Sequence, residues 1–281
     1  MFDPIQSQSV YSLIQAALNE DIGSGDITTD NLISRDKTGE CVLVAKEPLV
    51  LAGMEIAQEV FRRLDANVQF KAALADGDRA NSGEILAEIH GRLAPLLKAE
   101  RTALNFLQRL SGIATHVAGY VRLLGEKQVR LVDTRKTTPG WRILEKYAVR
   151  VGGGFNHRMG LYDGVLIKDN HIAAFGGVAK SIAHIRKHVS HLVKIEVEVS
   201  NLEDVSEALA AGADVIMLDN MPLEKIRAAV DMIQHDALVE VSGNVTKADL
   251  LELSHAGVDI ISIGALTHAA RSVDISMRIT V

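Results

Sequence analysis

A chain of 281 residues that is 47% hydrophobic, 23% charged and only 4% aromatic has the apolar mass for an α/β barrel with a modest extra domain, and this composition excludes a disordered chain. Its formal charge of -6 at pH 7 excludes a general attraction to nucleic acid or to an anionic membrane surface, so any basic site has to be local. Cys41 is the only cysteine, which excludes an intrachain disulfide and favours a reducing compartment.

In chain order, the opening Met1-Phe2-Asp3-Pro4 carries no basic leader, and no apolar stretch approaches the roughly 20 residues that span a bilayer. The chain is therefore expected in the cytoplasm, with no membrane and no nucleic acid as partners. The first hundred residues mix short strand patterns with the turns Asp76-Gly77-Asp78 and Ser82-Gly83-Glu84, which predicts a small α+β unit. Cys41 sits in the apolar run Cys41-Val42-Leu43-Val44-Ala45 and reads as strand core. From Ala99 to Leu124 the pattern is helical, with Leu104, Leu107 and Leu110 on one side and Arg101, Asn105 and Gln108 on another. That helix is expected to bridge two domains or to face a partner subunit.

After residue 160 a short apolar strand, a polar residue at its end and an amphipathic helix recur. The predicted strands are 165–167, 195–198, 215–218, 238–241 and 260–263, separated by helices such as 202–211, 223–233 and 247–255. Units of this size imply parallel strands with crossover helices. Lys168, Glu198, Asp219, Ser242 and Gly264 all fall at the carboxyl ends of these strands, where barrels carry their active sites. A doubly wound sheet stays open as an alternative, although it usually brings an early glycine-rich phosphate turn that this chain lacks.

The segment from Arg135 to Lys168 holds seven Lys or Arg residues against two acids, which marks an anion site in an acidic chain. Arg142, Lys146 and Arg150, spaced at helical intervals, read equally as a solvated helix face. Arg135, Lys136, Arg158 and Lys168 lie instead beside glycines, turns and strand ends, where the backbone is fixed. Gly152-Gly153-Gly154 lets backbone approach a ligand closely, a structural loop being the other reading, and Asn156-His157-Arg158 adds three donors. A guanidinium fork suits a carboxylate, whereas a lysine suits phosphate oxygens, so two anionic ligands are expected.

Glu198 and Asp219 face these cations from successive strand ends. They suit sugar hydroxyls or a Mg²⁺ ion shared with a phosphorylated substrate, or else a plain salt bridge to Lys168. Glu196 shares a strand face with Glu198, so spacing leaves open which acid lies at the rim. Ser242-Gly243-Asn244 and Ile263-Gly264-Ala265 follow the last two strands, where backbone amides often capture a phosphate. His268 reads as a further donor there or as a structural histidine.

These residues resemble the quinolinate phosphoribosyltransferases over nearly the whole chain. The resemblance runs through Glu20-Asp21-Ile22-Gly23-Ser24-Gly25-Asp26-Ile27-Thr28, Glu100 to Asn105 and Leu110 to Thr115. Its most specific stretches are Asp133-Thr134-Arg135-Lys136-Thr137-Thr138-Pro139-Gly140, Gly152 to Arg158, Leu166-Ile167-Lys168-Asp169-Asn170-His171 and Met217-Leu218-Asp219-Asn220. It implies an α/β fold: an N-terminal α/β sandwich over 1–112, with 269–281 returning to it, and an incomplete, seven-stranded TIM-like barrel over 113–268 that carries the active site.

It also implies roles. Arg135, His157, Arg158 and Lys168 would receive the quinolinate carboxylates, with Arg101 reaching into a neighbouring subunit's site in a homodimer or hexamer. Lys136 would bind the pyrophosphate of phosphoribosyl pyrophosphate. Glu198 and Asp219 would take the ribose hydroxyls with Mg²⁺, and Ser242, Gly243, Gly264 and His268 the 5-phosphate. Lys136, Lys168, Glu198 and Asp219 would be the catalytic set. Asn244 stands where many members have a glycine, and Trp141 where leucine is common. Against this stand a Schiff-base aldolase built on Lys168, a non-catalytic ligand sensor, and a related transferase acting on nicotinate or serving a molybdenum-associated pathway.

Overall fold

A computed structural model describes residues 7–125 and 127–280, so the opening Met1–Pro4 lies outside the described residues. In chain order the elements are α1 (Gln8–Ile22), α2 (Ile27–Leu32), β1 (Thr38–Ala45), β2 (Leu49–Val50), α3 (Met54–Leu64), β3 (Gln69–Ala72), β4 (Arg79–Ala80), β5 (Ile85–Arg92), α4 (Leu93–Leu124), β6 (Arg130–Val132) and α5 (Arg142–Val151). There follow β7 (Val165–Ile167), α6 (Asp169–Phe175), α7 (Val178–His188), β8 (Ile195–Val199), α8 (Leu202–Ala210), β9 (Val215–Asp219), α9 (Leu223–Ile233), β10 (Leu238–Ser242), α10 (Asp249–Ser254), β11 (Ile260–Ser262), α11 (Ala265–His268) and β12 (Ile275–Thr280). Two compact units result: Met1–Ala118 with Thr137–Gly153 and Leu266–Val281, and Gly119–Lys136 with Gly154–Ala265.

The first unit is built on an antiparallel sheet of order β12-β1-β5-β3. Cys41 pairs with Ile279 on one side and Ile89 on the other, and its side chain is buried. Burial pushes its thiol up to about 12, so it is inert core, as the apolar run implied. In α3, Ile56, Ala57, Val60 and Phe61 recur at helical spacing and are buried. The triple glycine also has a packing explanation. A Cβ on Gly152 would lie 2.6 Å from the carbonyl oxygen of Ala114 in α4, and Gly153 adopts φ +90°, a region that disfavours other residues.

The second unit holds a parallel sheet of order β6-β11-β10-β9-β8-β7, as the strand–helix rhythm implied. The five anticipated strands are present within a residue or two of their expected limits; β6, only three residues long, carries no periodicity by which it could be read. Among the described residues the sheet has six strands rather than seven, and the further place is a single parallel bridge between Val132 and Phe155. The ladder stops there because the next amide, that of His157, donates to the Asp133 side chain at 2.9 Å instead of to a strand. The inner strands β8, β9 and β10 are largely buried, and Val197, Ile216, Leu218 and, on β11, Ile261 are completely so, as parallel strands covered on both faces require.

Candidate active site

One edge of the parallel sheet collects the polar residues. β7 is followed directly by Lys168, β8 carries Glu198 near its end, β9 ends on Asp219 and β10 on Ser242, and Gly264 follows β11 by two residues. Register brings them to one level: Ile167 pairs with Val197, Val199 with Leu218, and Asp219 with Ser242.

On the cationic side, Asp133 directly follows β6 and is fully buried. Its carboxylate accepts the Asn156 amide at 2.6 Å and the His157 backbone N–H at 2.9 Å, which fixes the corner that carries Arg158. Arg135 and Lys136 emerge from the same strand end and are exposed. Burial and the neighbouring Arg135 charge hold the Arg158 guanidinium below its usual range, against the opposing pull of Glu196 and Asp163. Arg158 Nη1 donates to the Gly164 carbonyl at 3.0 Å. Lys168 Nζ is ion-paired to Glu198. Lys168 therefore does not stand in the apolar pocket that would strip its charge for Schiff-base chemistry.

On the acidic side, Asp219 accepts the Asn220 side-chain amide at 2.8 Å, and Asn220 Oδ1 in turn accepts the Asn244 amide at 3.0 Å. Asn244 has φ +49°, a left-handed conformation that asparagine tolerates better than most residues, which explains its standing where a glycine is usual. Gly243, at φ +91°, lies so close to this chain that a Cβ would come within 2.4 Å of Asn220 Oδ1. The order Asp219, Asn220, Asn244 thus ties the ends of β9 and β10 together.

Deeper in the same unit, Glu196 and Glu240 face His157. Nε2 of His157 lies 3.1 Å from Glu196 and 3.7 Å from Glu240. Of the two strand acids left open by spacing, Glu198 is the one at the rim and Glu196 the one beneath it. Glu240 is missed by motif and strand-end reasoning; its only signal is a carboxylate inside the apolar strand Leu238-Val239-Glu240-Val241. Burial and the Glu196 charge push it up to about 7, with His157 opposing.

The remaining expected residues belong to the first unit. Arg101 lies exposed on α4, and His268 ends α11, also exposed. Arg142, Lys146 and Arg150 do not form a solvated face: Lys146 is completely buried and the other two are half-buried. The fully buried Glu145 beside them accepts Arg109 Nη2 at 2.7 Å, the Thr138 hydroxyl at 2.9 Å and the Thr138 N–H at 3.1 Å. Trp141 stacks on Phe106 with ring centroids 4.7 Å apart, so its departure from leucine is filled by an aromatic partner.

Family models for the quinolinate phosphoribosyl transferase N-terminal domain and C-terminal domain match residues 26–111 and 113–278. A probable nicotinate-nucleotide pyrophosphorylase (carboxylating) of Bacillus subtilis (strain 168) is 48% identical over 261 residues, which covers 93% of this chain and 90% of the relative. Quinolinate phosphoribosyltransferase (decarboxylating) 1b of Nicotiana tabacum is 38% identical over 286 residues, covering 95% and 81%. The crystal structure of NadC from Streptococcus pyogenes superposes with a TM-score of 0.95 at 45% identity, covering 100% of this chain and 98% of that one.

Proposed function

The chain belongs to the quinolinate phosphoribosyltransferase family and catalyses the decarboxylating transfer of phosphoribose from phosphoribosyl pyrophosphate to quinolinate in NAD biosynthesis, and from that premise we propose how its residues divide the work. Arg135, Arg158 and Lys168 receive the quinolinate carboxylates, Lys136 the pyrophosphate, and Glu198 and Asp219 the ribose hydroxyls. Ser242, Gly243, Gly264 and His268 take the 5-phosphate. The observation that carries this division is that buried Asp133, two residues before Arg135, pins the corner that bears Arg158, which brings two guanidinium groups to one strand end for a dicarboxylate.

Bond making and breaking need no covalent enzyme intermediate. The bond from ribose C1 to pyrophosphate breaks, and the pyridine nitrogen attacks the oxocarbenium-like C1. The acids at the rim stabilise the positive charge that develops on the sugar. The quaternised ring nitrogen then accepts the electron pair of the departing C2 carboxylate, and C2 takes up a proton. For this the rim has to hold both reactants in line, which paired cations on one side and paired acids on the other accomplish.

The acids also fit Mg²⁺. Glu198 and Asp219 stand on adjacent strands and offer the hard oxygen donors that this ion takes alongside substrate phosphates. Bound there with phosphoribosyl pyrophosphate, Mg²⁺ would supply charge neutralisation to the leaving pyrophosphate.

A second copy of the chain completes the reading, with Arg101 donated across the interface of a homodimer or a higher assembly. In support, Leu161 and Tyr162 are 72% and 83% exposed in the second unit, next in sequence to the edge strand β7, a surface that a lone chain usually covers. The cytoplasm is the compartment that fits a single buried cysteine, and among the described residues no helix is long and apolar enough to cross a membrane. The test is to mix the pure protein with quinolinate, phosphoribosyl pyrophosphate and Mg²⁺. Nicotinate mononucleotide and CO₂ should form, chelation should stop both, and nicotinate should not replace quinolinate. Equal turnover of nicotinate would remove the need for a dicarboxylate site.

A further inference from the structure

Beneath the strand ends, His157, Glu196 and Glu240 make a cluster that the reaction outlined above does not use. The three side chains are 14%, 10% and 2% exposed, and their facing nitrogen and oxygen atoms all lie within 4.8 Å of one another. The ring of His157 is engaged from both ends. Its Nδ1 accepts the backbone N–H of Arg158 at 2.7 Å, while its Nε2 lies 3.1 Å from Glu196 Oε2. A ring nitrogen that accepts a hydrogen bond carries no proton, so the imidazole proton is on Nε2 and donates inward to Glu196. The same corner is held a second time, by the His157 N–H on buried Asp133.

We propose that Glu196, backed by Glu240, is a positioning residue that acts through His157: it holds the ring as the Nε2–H tautomer, which fixes the peptide of Arg158 and aims that guanidinium at a quinolinate carboxylate. The inference deepens the reading above and rests on Arg158 binding the dicarboxylate. It gives His157 a task other than the carboxylate contact that family resemblance implies, because the ring's one N–H donor is already taken up by Glu196 at 3.1 Å. Glu240 supplies the back wall. Its Oε1 and Glu196 Oε1 are buried without hydrogen-bond partners, so two bare charges there would be costly and a proton retained by Glu240 leaves Glu196 as the single charged acceptor.

The tautomer is read directly from long-range ¹H–¹⁵N correlation spectra of the full-length wild type labelled in histidine, with His157 assigned through its own backbone. A protonated Nε2 and a bare Nδ1 are expected; a doubly protonated ring, or a proton on Nδ1, overturns the proposal with no variant needed. Kinetically, Glu196→Gln should raise the KM for quinolinate on the order of ten- to hundredfold through misplacement of Arg158, with far smaller changes in kcat and in the KM for phosphoribosyl pyrophosphate. In a His157→Asn background the same change should add nothing further. Additive effects, or a loss of kcat at unchanged KM, would count against it. So would a stoichiometric divalent metal in the purified protein that disappears in Glu240→Gln, since the three groups would then be a ligand set. Product formation by the wild type, followed in the same assays, keeps a failure here distinct from a failure of the reaction on which it rests.

Discussion

Lys168 and Glu198 are ion-paired across the ends of the neighbouring strands β7 and β8, thirty residues apart in the chain. Each neutralises the other. Under the division of roles proposed above, an incoming pyridine carboxylate and sugar hydroxyl would open the pair and meet an ammonium and a carboxylate already held in place.

Because the Lys168 side chain is 44% exposed, this pair adds little to stability. Lys168→Ala and Glu198→Gln should each leave the melting temperature within a few degrees of the wild type, a change of about 1 kcal/mol or less. Both should lower kcat/KM by several orders of magnitude. Calorimetry beside steady-state kinetics checks the split; large losses of stability with intact activity would reverse the assignment.

Arg158→Ala removes a charged donor from a site where Arg135 remains. The loss of one charge-assisted contact, about 1.5–3 kcal/mol, corresponds to a rise of roughly ten- to a hundredfold in the KM for quinolinate. Arg158→Lys should recover little of it, because a point charge cannot reproduce the fork. An unchanged KM in the alanine variant would move the carboxylate site elsewhere.

Glu145 is fully buried and relies on Arg109, which also donates to the Thr267 carbonyl at 2.9 Å. Arg109→Ala leaves that carboxylate without its counter-charge and should cost about 3–5 kcal/mol in denaturant unfolding. Replacing both residues by apolar ones of similar size should cost much less. If the single variant unfolds at the wild-type midpoint, the pair is not structural.

The pH dependence of stability has a sign fixed by Glu240. Its carboxyl is raised from 4.5 to about 7 in the folded protein, so its favourable contribution is complete below about 4.5 and is lost as pH rises through 7. Wild-type stability should fall over that window by up to an order of 3 kcal/mol, while Glu240→Gln, which cannot ionise, should show a shallower fall. Parallel curves for the two proteins from pH 5 to 9 would refute the assignment.

Gly243→Ala probes the acidic side. Its Cβ would fall 2.4 Å from Asn220 Oδ1 at a φ of +91°, so the amide that holds Asp219 has to shift. Strain of this kind costs of order 1–3 kcal/mol, and the kinetic loss should fall on phosphoribosyl pyrophosphate rather than on quinolinate. Asn244→Gly should be milder, because glycine keeps the left-handed backbone and loses only one exposed hydrogen bond.

Much of the second unit is legible in the amino-acid sequence. Strands such as Val215–Asp219 are continuous apolar runs that end on one polar residue, and the helices after them bury one stripe, so element type and the identity of the rim residues follow from patterns only a few residues long. The charged motifs from Asp133 to His171, with Glu198 and Asp219 beyond them, likewise identify the chemistry, because residue type in a fixed order is itself local information. Other features depend on residues far apart. Glu196 and Glu198 alternate identically along β8, and only the arrival of Lys168 from one neighbouring strand, and of His157 and Glu240 deeper inside, separates a rim acid from a buried one. The burial of Lys146 at a helical spacing typical of a wet surface, and the capture of the His157 amide by Asp133 that ends the sheet at six strands, are of the same kind. Hydrophobic period and turn chemistry act over one or two turns of chain, so sequence alone determined elements, their order and the reaction. Which charged group loses water and which keeps it depends on contacts that close only when distant segments pack, and that was decided by the tertiary structure.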